Sequence, residues 1–278
     1  MNKSTLGLMA ILLTFAITSC KKDSSPGNGG DNSLESAENN SMAESYYNDV
    51  TTLVDVAAYN GASMSFRTTQ EQSPLSGCVI VTVDTLSALR TITIDFGTNN
   101  CLCIDGRNRR GKILASYSGK YKDSGTVIGI TFDNYFVNDN QVKGTKTVTN
   151  KGRNASGNLV YQVEVNGQLV KANGKGTITW ISTRQREWMA GAATPLNILD
   201  DVFGITGTAN GTNASGNAYA ITITQALVRK MNCRWFESGV LTLVPEGAPA
   251  VTLDYGSSGC DANAVVTINN KSYDIVLQ

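Results

Sequence analysis

The sequence predicts an all-β protein, mainly an antiparallel meander, sandwich or open barrel, with one N-terminal helix packed on the sheet. Two observations carry this prediction. From about residue 77 onward, short runs alternate apolar and polar residues, a pattern typical of strands with one buried face. Turns rich in Gly, Asn and Ser join the runs, and no alternation of strands with helices indicates a parallel sheet.

Residues 1–19 predict an export signal, since Lys3 precedes an apolar stretch at 6–17 that is too short to span a bilayer. Small residues lead into Cys20, and this junction resembles the bacterial lipobox, in which the cysteine is acylated. The resemblance implies lipidation at Cys20, and an ordinary signal peptide is the alternative.

Residues 20–40 are rich in Lys, Asp, Ser, Gly and Asn and are predicted to be a flexible tether. Cys20-Lys21-Lys22-Asp23 resembles the signal that sends Bacteroidota lipoproteins to the cell exterior. We therefore expect an outer membrane lipoprotein, periplasmic or surface-exposed, whose lipid anchor makes the membrane its partner.

Residues 41–62 predict the N-terminal helix. Ser41 is the expected N-cap, with Glu44 completing a capping box. Apolar residues recur at steps of three and four, which predicts a stripe that packs on one face of the sheet. The stripe consists of Met42, Tyr46, Val50, Leu53 and Ala57.

Residues 63–278 predict the antiparallel β domain, in about a dozen strands. The runs with strand character are 79–83, 91–96, 112–117, 126–132, 145–149, 159–165, 176–182, 183–189, 204–209, 218–223, 239–244, 251–255, 264–268 and 272–277.

Segments of this domain resemble each other in a nested order. Residues 78–101 match 233–260, and between them 144–170 match 207–228. Each inner segment carries the sequence NASGN before an alternating run, which predicts a hairpin loop because Asn, Ser and Gly favour turns. The alternative reading of Asn-Ala-Ser as an N-glycosylation site has little support in a bacterial lipoprotein.

The outer segments each begin and end with cysteine, and an exported chain is usually oxidised. The matched spacing predicts the disulfides Cys78–Cys101 and Cys233–Cys260, with Cys103 as the odd one of the five cysteines in the folded part. A zinc site is the competing interpretation, but the chain has no Cys-x-x-Cys pair.

Composition excludes several functions. The 23 basic and 23 acidic residues balance, so nothing favours nucleic acid as a partner. The chain has no histidine, which removes Ser-His-Asp and Cys-His catalysis and most zinc sites. We expect no enzyme activity, no metal and no cofactor.

The candidate binding residues are Trp180, Arg184, Arg186 and Trp188, which share one face if 176–189 is extended. Two Trp residues flanking two Arg residues would form a flat platform for sugar rings. A structural cation–π ladder without ligand is the favoured alternative.

Three polar loops are weaker candidates. Arg107, Arg109 and Arg110 lie in DGRNRRG, which predicts an anion site or, with more weight, a solvated basic turn. The segment 138–140 predicts a calcium site or, with more weight, a hairpin turn. Asp84-Thr85-Leu86 resembles the motif at which exported Bacteroidota proteins are O-glycosylated, which implies modification of Thr85.

Together the lipobox, TIDFG…C, FDNY, STR.REW and LDYG…CD resemble Bacteroidota cell-envelope lipoproteins that are β-rich and have no known activity. The resemblance implies an envelope location. We expect a lipid-anchored protein with a non-catalytic binding or structural role, whose partners are glycans or other envelope proteins. The alternatives are a carrier of lipid or another apolar ligand in a half-open barrel and, with least support, a carboxylate-dependent glycoside hydrolase.

Overall fold

The computed structural model describes residues 28–61, 77–84, 86–87, 89–194, 197–257 and 259–277. The predicted signal peptide, Cys20 and Thr85 lie outside these residues. The described chain forms helix α1 (Asn28–Gly61) and fourteen strands. The strands are β1 (Ile80–Asp84), β2 (Arg90–Asp95), β3 (Cys101–Leu102), β4 (Asn108–Tyr117), β5 (Val127–Val137), β6 (Asn140–Arg153), β7 (Leu159–Val170), β8 (Thr177–Ala190), β9 (Val202–Thr212), β10 (Ala218–Lys230), β11 (Ser238–Pro245), β12 (Val251–Asp254), β13 (Asn263–Ile268) and β14 (Lys271–Val276).

The strands form a single antiparallel sheet in which neighbours in the chain are neighbours in space. The exception is β3, a two-residue strand that pairs with β4 while β2 also pairs with β4. The sheet is not closed, and β1 and β14 are its two edges. The prediction of an antiparallel β protein with one N-terminal helix packed on the sheet is confirmed.

The sheet curls around α1. The helix contacts β1 and β2 near one edge, β8 in the middle and β11, β12 and β13 near the other edge. Side chains on all sides of the helix are therefore buried, including Ala43, Tyr47 and Val54 in addition to the predicted stripe. We call the sheet surface that faces α1 the inner face and the opposite surface the outer face.

The helix begins at Asn28, so the prediction of a tether over 20–40 is wrong for residues 28–40. Ser33, Ser36, Asn39 and Asn40 are buried in this part of the helix. Their polar groups meet hydrogen-bonding partners in the loops between strands and, for Asn40, in β8, so a low apolar content does not prevent packing. Ser41 lies inside the helix and is not its N-cap. No helix of the described residues combines the length and apolarity that crossing a membrane requires.

Two strands differ from the prediction. The runs 176–182 and 183–189 form one 14-residue strand, β8, because the alternation of inner and outer residues continues without a break. The short strand β3 was not predicted, since two residues carry no periodicity.

Close contact between helix and sheet requires glycine at position 167. A Cβ atom at Gly167 would lie 2.1 Å from the hydroxyl oxygen of Tyr47. That hydroxyl donates a hydrogen bond of 2.7 Å to the carbonyl of Lys143 on the neighbouring strand. The absence of a side chain at Gly167 thus allows α1 to contact β6 and β7 directly.

Both predicted disulfides are confirmed. Cys78–Cys101 encloses the β1–β2 hairpin with a Cα–Cα distance of 6.1 Å, and Cys233–Cys260 encloses β11 and β12 with a distance of 5.5 Å. Cys103 is buried, and its thiol lies 3.6 Å from the carbonyl oxygen of Cys101. One bridge thus closes a hairpin at one edge of the sheet, and the other closes a hairpin near the opposite edge.

Candidate functional site

The four residues predicted to bind sugars lie on the inner face of β8. Trp180, Arg184, Arg186 and Trp188 do share one face, as the alternation predicts. Their exposed fractions are only 2%, 4%, 6% and 7%, because α1 and the loop that carries Asp201 cover them. The prediction of an exposed platform is wrong, since no flat aromatic surface reaches solvent here.

The polar groups of these side chains are engaged within the protein. Trp180 donates to Asn40 over 3.0 Å and Trp188 donates to Asp201 over 3.0 Å. The salt bridges are Arg184–Glu44 at 2.6 Å and Arg186–Asp55 at 3.1 Å.

Aromatic rings lie beside the two arginines. The guanidinium carbon of Arg184 is 5.6 Å from the Trp180 ring, and that of Arg186 is 3.5 Å from the Phe203 ring. The arrangement is a structural ladder between sheet and helix.

A second ion cluster lies at the start of β4. Arg107 and Arg109 are 1% and 0% exposed, so the prediction of a solvated basic turn is wrong for both. Arg107 and Arg109 contact Asp49 of α1 at 3.2 Å and 2.7 Å, and Arg109 also contacts Asp105 at 2.6 Å. Only Arg110 points outward, where it pairs with Asp139. Arginines that the sequence places in a loop thus anchor the helix.

Burial and charge oppose each other in these clusters. Burial disfavours ionised Asp49, but Arg109 and Arg107 outweigh it and hold the pKa of Asp49 below its usual value. At Asp55 burial prevails over Arg186 and raises the pKa. Burial, with added repulsion from Arg186, lowers the pKa of Lys146 to about 7. Burial likewise lowers the pKa of Arg229 to about 10.

Sequence reasoning missed Lys146, Ser182 and Arg229 as interior residues. Lys146 is 2% exposed, and its amine donates to the carbonyl of Tyr47 over 2.7 Å. The sequence did contain a sign of this burial, because Lys146 is two residues from the buried Val148 in the same strand and therefore faces the same side. When a charged residue occupies an apolar position of an alternating run, either the buried face of the strand has been assigned wrongly or the charged side chain is buried.

The polar loop at 138–140 is a hairpin turn. Asn138 and Asp139 have φ angles of 47° and 64°, and Val137 pairs with Asn140, which makes a two-residue connection between β5 and β6. In the part of the chain that the structure describes, no group of three or more Cys, Asp or Glu side chains converges to hold a metal ion.

A groove of about 420 Å³ crosses β2, β4, β5 and β6 on the outer face, and we call it the outer groove. It forms where Gly129 contributes no side chain between taller neighbours. Hydroxyl-bearing residues are the commonest in its walls, but much of the lining surface is apolar and comes from threonine methyl groups, Leu114 and Ala115. The hydroxyl-bearing residues are Thr91, Thr93, Ser116, Thr131, Thr145 and Thr147.

A row of threonines continues along the outer face from β8 to β13. Each member is the direct cross-strand partner of the next. The row consists of Thr183, Thr208, Thr222, Thr242, Thr252 and Thr267. With strands about 4.8 Å apart, this threonine row is roughly 24 Å long. The outer face is thus hydroxyl-rich where the inner face is charged.

The chain matches no known family model, no curated protein and no solved structure.

Proposed function

We propose that this protein is a lipid-anchored component of the bacterial cell envelope that binds neutral glycans, without catalysis, through its outer groove. The observation that carries the proposal is the groove itself. Its volume of about 420 Å³ lies in the range of small-molecule sites, and its walls combine hydroxyl groups with apolar surface.

The chemistry of the outer groove matches that of a sugar. A threonine or serine hydroxyl both donates and accepts hydrogen bonds, as sugar hydroxyls do. The threonine methyl groups and Leu114 offer apolar contact to the C–H faces of a sugar ring. The amine of Lys146 is directed to Tyr47 in the interior, so the walls carry no net charge that would select an anionic ligand.

The inner face supports neither of the alternatives. Among the described residues, two cavities between α1 and the sheet have volumes of about 20 Å³ each, whereas a site for a lipid or drug-sized ligand needs several hundred. The acids Glu44, Asp49 and Asp55 each contact arginine and the buried Asp201 accepts from Trp188, which does not favour the paired acid and base of a glycoside hydrolase.

The binding proposal is tested with neutral oligosaccharides. Isothermal titration of the full chain with soluble glucan and mannan hexaoses should give a saturable signal for at least one sugar. Replacing Thr145 and Thr147 together with valine removes two hydroxyls and keeps their shape, and should weaken binding about tenfold or more. The matched control is Thr222→Val with Thr252→Val, two changes on the same face outside the outer groove. Binding that is equal in both double variants, or absent across the panel, contradicts the proposal.

The anchor is tested separately. Expressed in a bacterium that matures lipoproteins, the full chain should carry labelled palmitate and sediment with membranes. Cys20→Ala should lose both the label and the membrane association, whereas Cys103→Ala should keep them. A label that persists in Cys20→Ala would place the acyl group elsewhere and reject the anchor at this position.

A further inference from the structure

A small cavity lies between the middle of α1 and strands β6 to β10. Its volume is about 20 Å³, which holds one water-sized or halide-sized particle but not a sulfate or phosphate. Its polar lining includes Glu44 and Asn48 from the helix and Lys146, Ser182, Arg184, Arg186 and Arg229 from the sheet. We call it the inner cavity.

Three donors in the inner cavity have no hydrogen-bond partner among the described residues. They are Nδ2 of Asn48, Oγ of Ser182 and Nη1 of Arg184. Ser182 and Arg184 are 2% and 4% exposed, so bulk water does not satisfy them. A buried donor without a partner destabilises the folded state, and three around one cavity indicate an acceptor at its centre.

The charges around the inner cavity do not balance. Arg184 is neutralised by Glu44, but neither Lys146 nor Arg229 has a carboxylate within 4.0 Å among the described residues. Lys146 donates to the carbonyl of Tyr47, and Arg229 donates to the carbonyl of Arg234. Burial lowers the pKa of both groups, and repulsion from Arg186 lowers both further, consistent with a positive potential at this place.

We propose that the inner cavity binds a single halide ion, which accepts hydrogen bonds from Asn48, Ser182 and Arg184. An anion accepts from every donor and compensates the buried charge of Lys146 and Arg229. A water molecule accepts only two hydrogen bonds and leaves both charges without a counterion. Chloride is the halide that this chemistry selects from an aqueous environment, since fluoride is dehydrated less readily and polyatomic anions exceed the volume.

The first test is thermal unfolding of the full chain at constant ionic strength, with chloride replacing gluconate. Because a ligand that binds only the folded state stabilises it by mass action, the Tm should rise with the logarithm of the chloride concentration above the Kd, by about 5 °C or more at a hundredfold excess. Ser182→Ala should lose most of this rise. Ser272→Ala, a matched change on the exposed edge strand β14, should keep it.

The second test does not depend on a variant that folds. Crystals grown in bromide should show an anomalous peak between Ser182 and Arg184. A peak at this position together with a logarithmic rise in Tm that Ser182→Ala loses supports the proposal. A Tm that rises linearly with chloride, or equally in both serine variants, indicates a non-specific ion effect, and the absence of an anomalous peak indicates water; each result overturns the proposal.

Discussion

Two loops of this protein have the same five residues, Asn-Ala-Ser-Gly-Asn, and nearly the same internal geometry. The first loop, residues 154–158, joins β6 to β7, and the second loop, residues 213–217, joins β9 to β10. In each, the side-chain oxygen of the leading asparagine accepts from the backbone N–H groups two and four residues later, at 2.9 to 3.1 Å. The glycine has a φ angle of +81° in the first loop and +88° in the second. The motif therefore forms the same internally hydrogen-bonded turn in both places.

The difference lies in what each loop contacts. In the first loop the amide groups of Asn154 and Asn158 both donate to Glu187, on the partly exposed rim of β8. In the second loop the amide of Asn213 donates to Asn32 and Ser36 of α1, and it is fully buried. Asn39 of the helix also accepts from the backbone of Ala214. The same turn is thus a surface feature at one place and a helix-binding element at the other.

The largest expected effect comes from Asn213→Ala. It removes two hydrogen bonds within the turn and leaves the partly buried Asn32 and the buried Ser36 without their donor, so we expect a loss of about 3 kcal/mol in the free energy of unfolding. Asn154→Ala removes the matching atoms at a partly exposed position and should cost about 1 kcal/mol. Urea unfolding of the two variants measures the difference. Equal losses would show that the contact with α1 contributes nothing.

A smaller effect is expected from Asn39→Ala, which leaves the turn intact and removes only one of its contacts with the helix. The loss should be about 1 kcal/mol, because the backbone N–H of Ala214 loses its acceptor while alanine favours the helix. Hydrogen exchange should become faster at Ala214 and stay slow at Asn217, whose N–H is held by Asn213. Glu38→Ala, at the exposed neighbouring position of the same helix, is the control and should change neither.

The turn and its contact also differ in how well the sequence predicts them. Alternation predicts most strands, spacing predicts both disulfides and residue type predicts both loops, because each of these depends on local geometry. The helical state of residues 28–40 was missed because Asn, Ser and Gly are also the residues of a flexible tether. The hydrogen bonds that stabilise this part of the helix come from the second loop, residues 213–217, more than 170 residues away in the chain.

The inner arginines show the same limit. Arg184 and Arg186 are two residues apart in β8, which predicts that they share a face of the sheet. The spacing does not predict whether that face contacts solvent or protein. Glu44 and Asp55 decide this, and both are on α1, 140 and 131 residues away in sequence. A charged residue in an alternating run acquires its environment from tertiary contacts that local patterns do not encode.

The turns themselves should respond alike to a change in the backbone. Gly157→Ala and Gly216→Ala each place a Cβ in open space but at a positive φ angle, so each should cost about 1 kcal/mol through backbone strain alone. Asparagine at either position should recover part of this loss, since it tolerates the left-handed conformation. Unequal costs for the two alanine variants would mean that the contact with α1 alters the turn itself and that the two turns are not equivalent.

The smallest effect concerns pH and only the first loop. Hydrogen bonds from Asn158 and Asn154 hold the pKa of Glu187 below its usual value of 4.5. A carboxylate whose pKa is lower in the folded chain stabilises the fold above its unfolded pKa, and this contribution disappears as the pH falls through the folded pKa. Because Glu187 is only partly buried, the contribution should stay below about 0.5 kcal/mol.

In an NMR titration of the carboxyl carbon, Asn154→Ala should raise the pKa of Glu187 toward 4.5, whereas Asn213→Ala should leave it unchanged. The stability lost in Asn213→Ala should likewise be the same at pH values above and below this titration, because Asn32 and Ser36 carry no charge. A pKa of Glu187 that shifts equally in both variants would show that the two loops communicate through the strands between them.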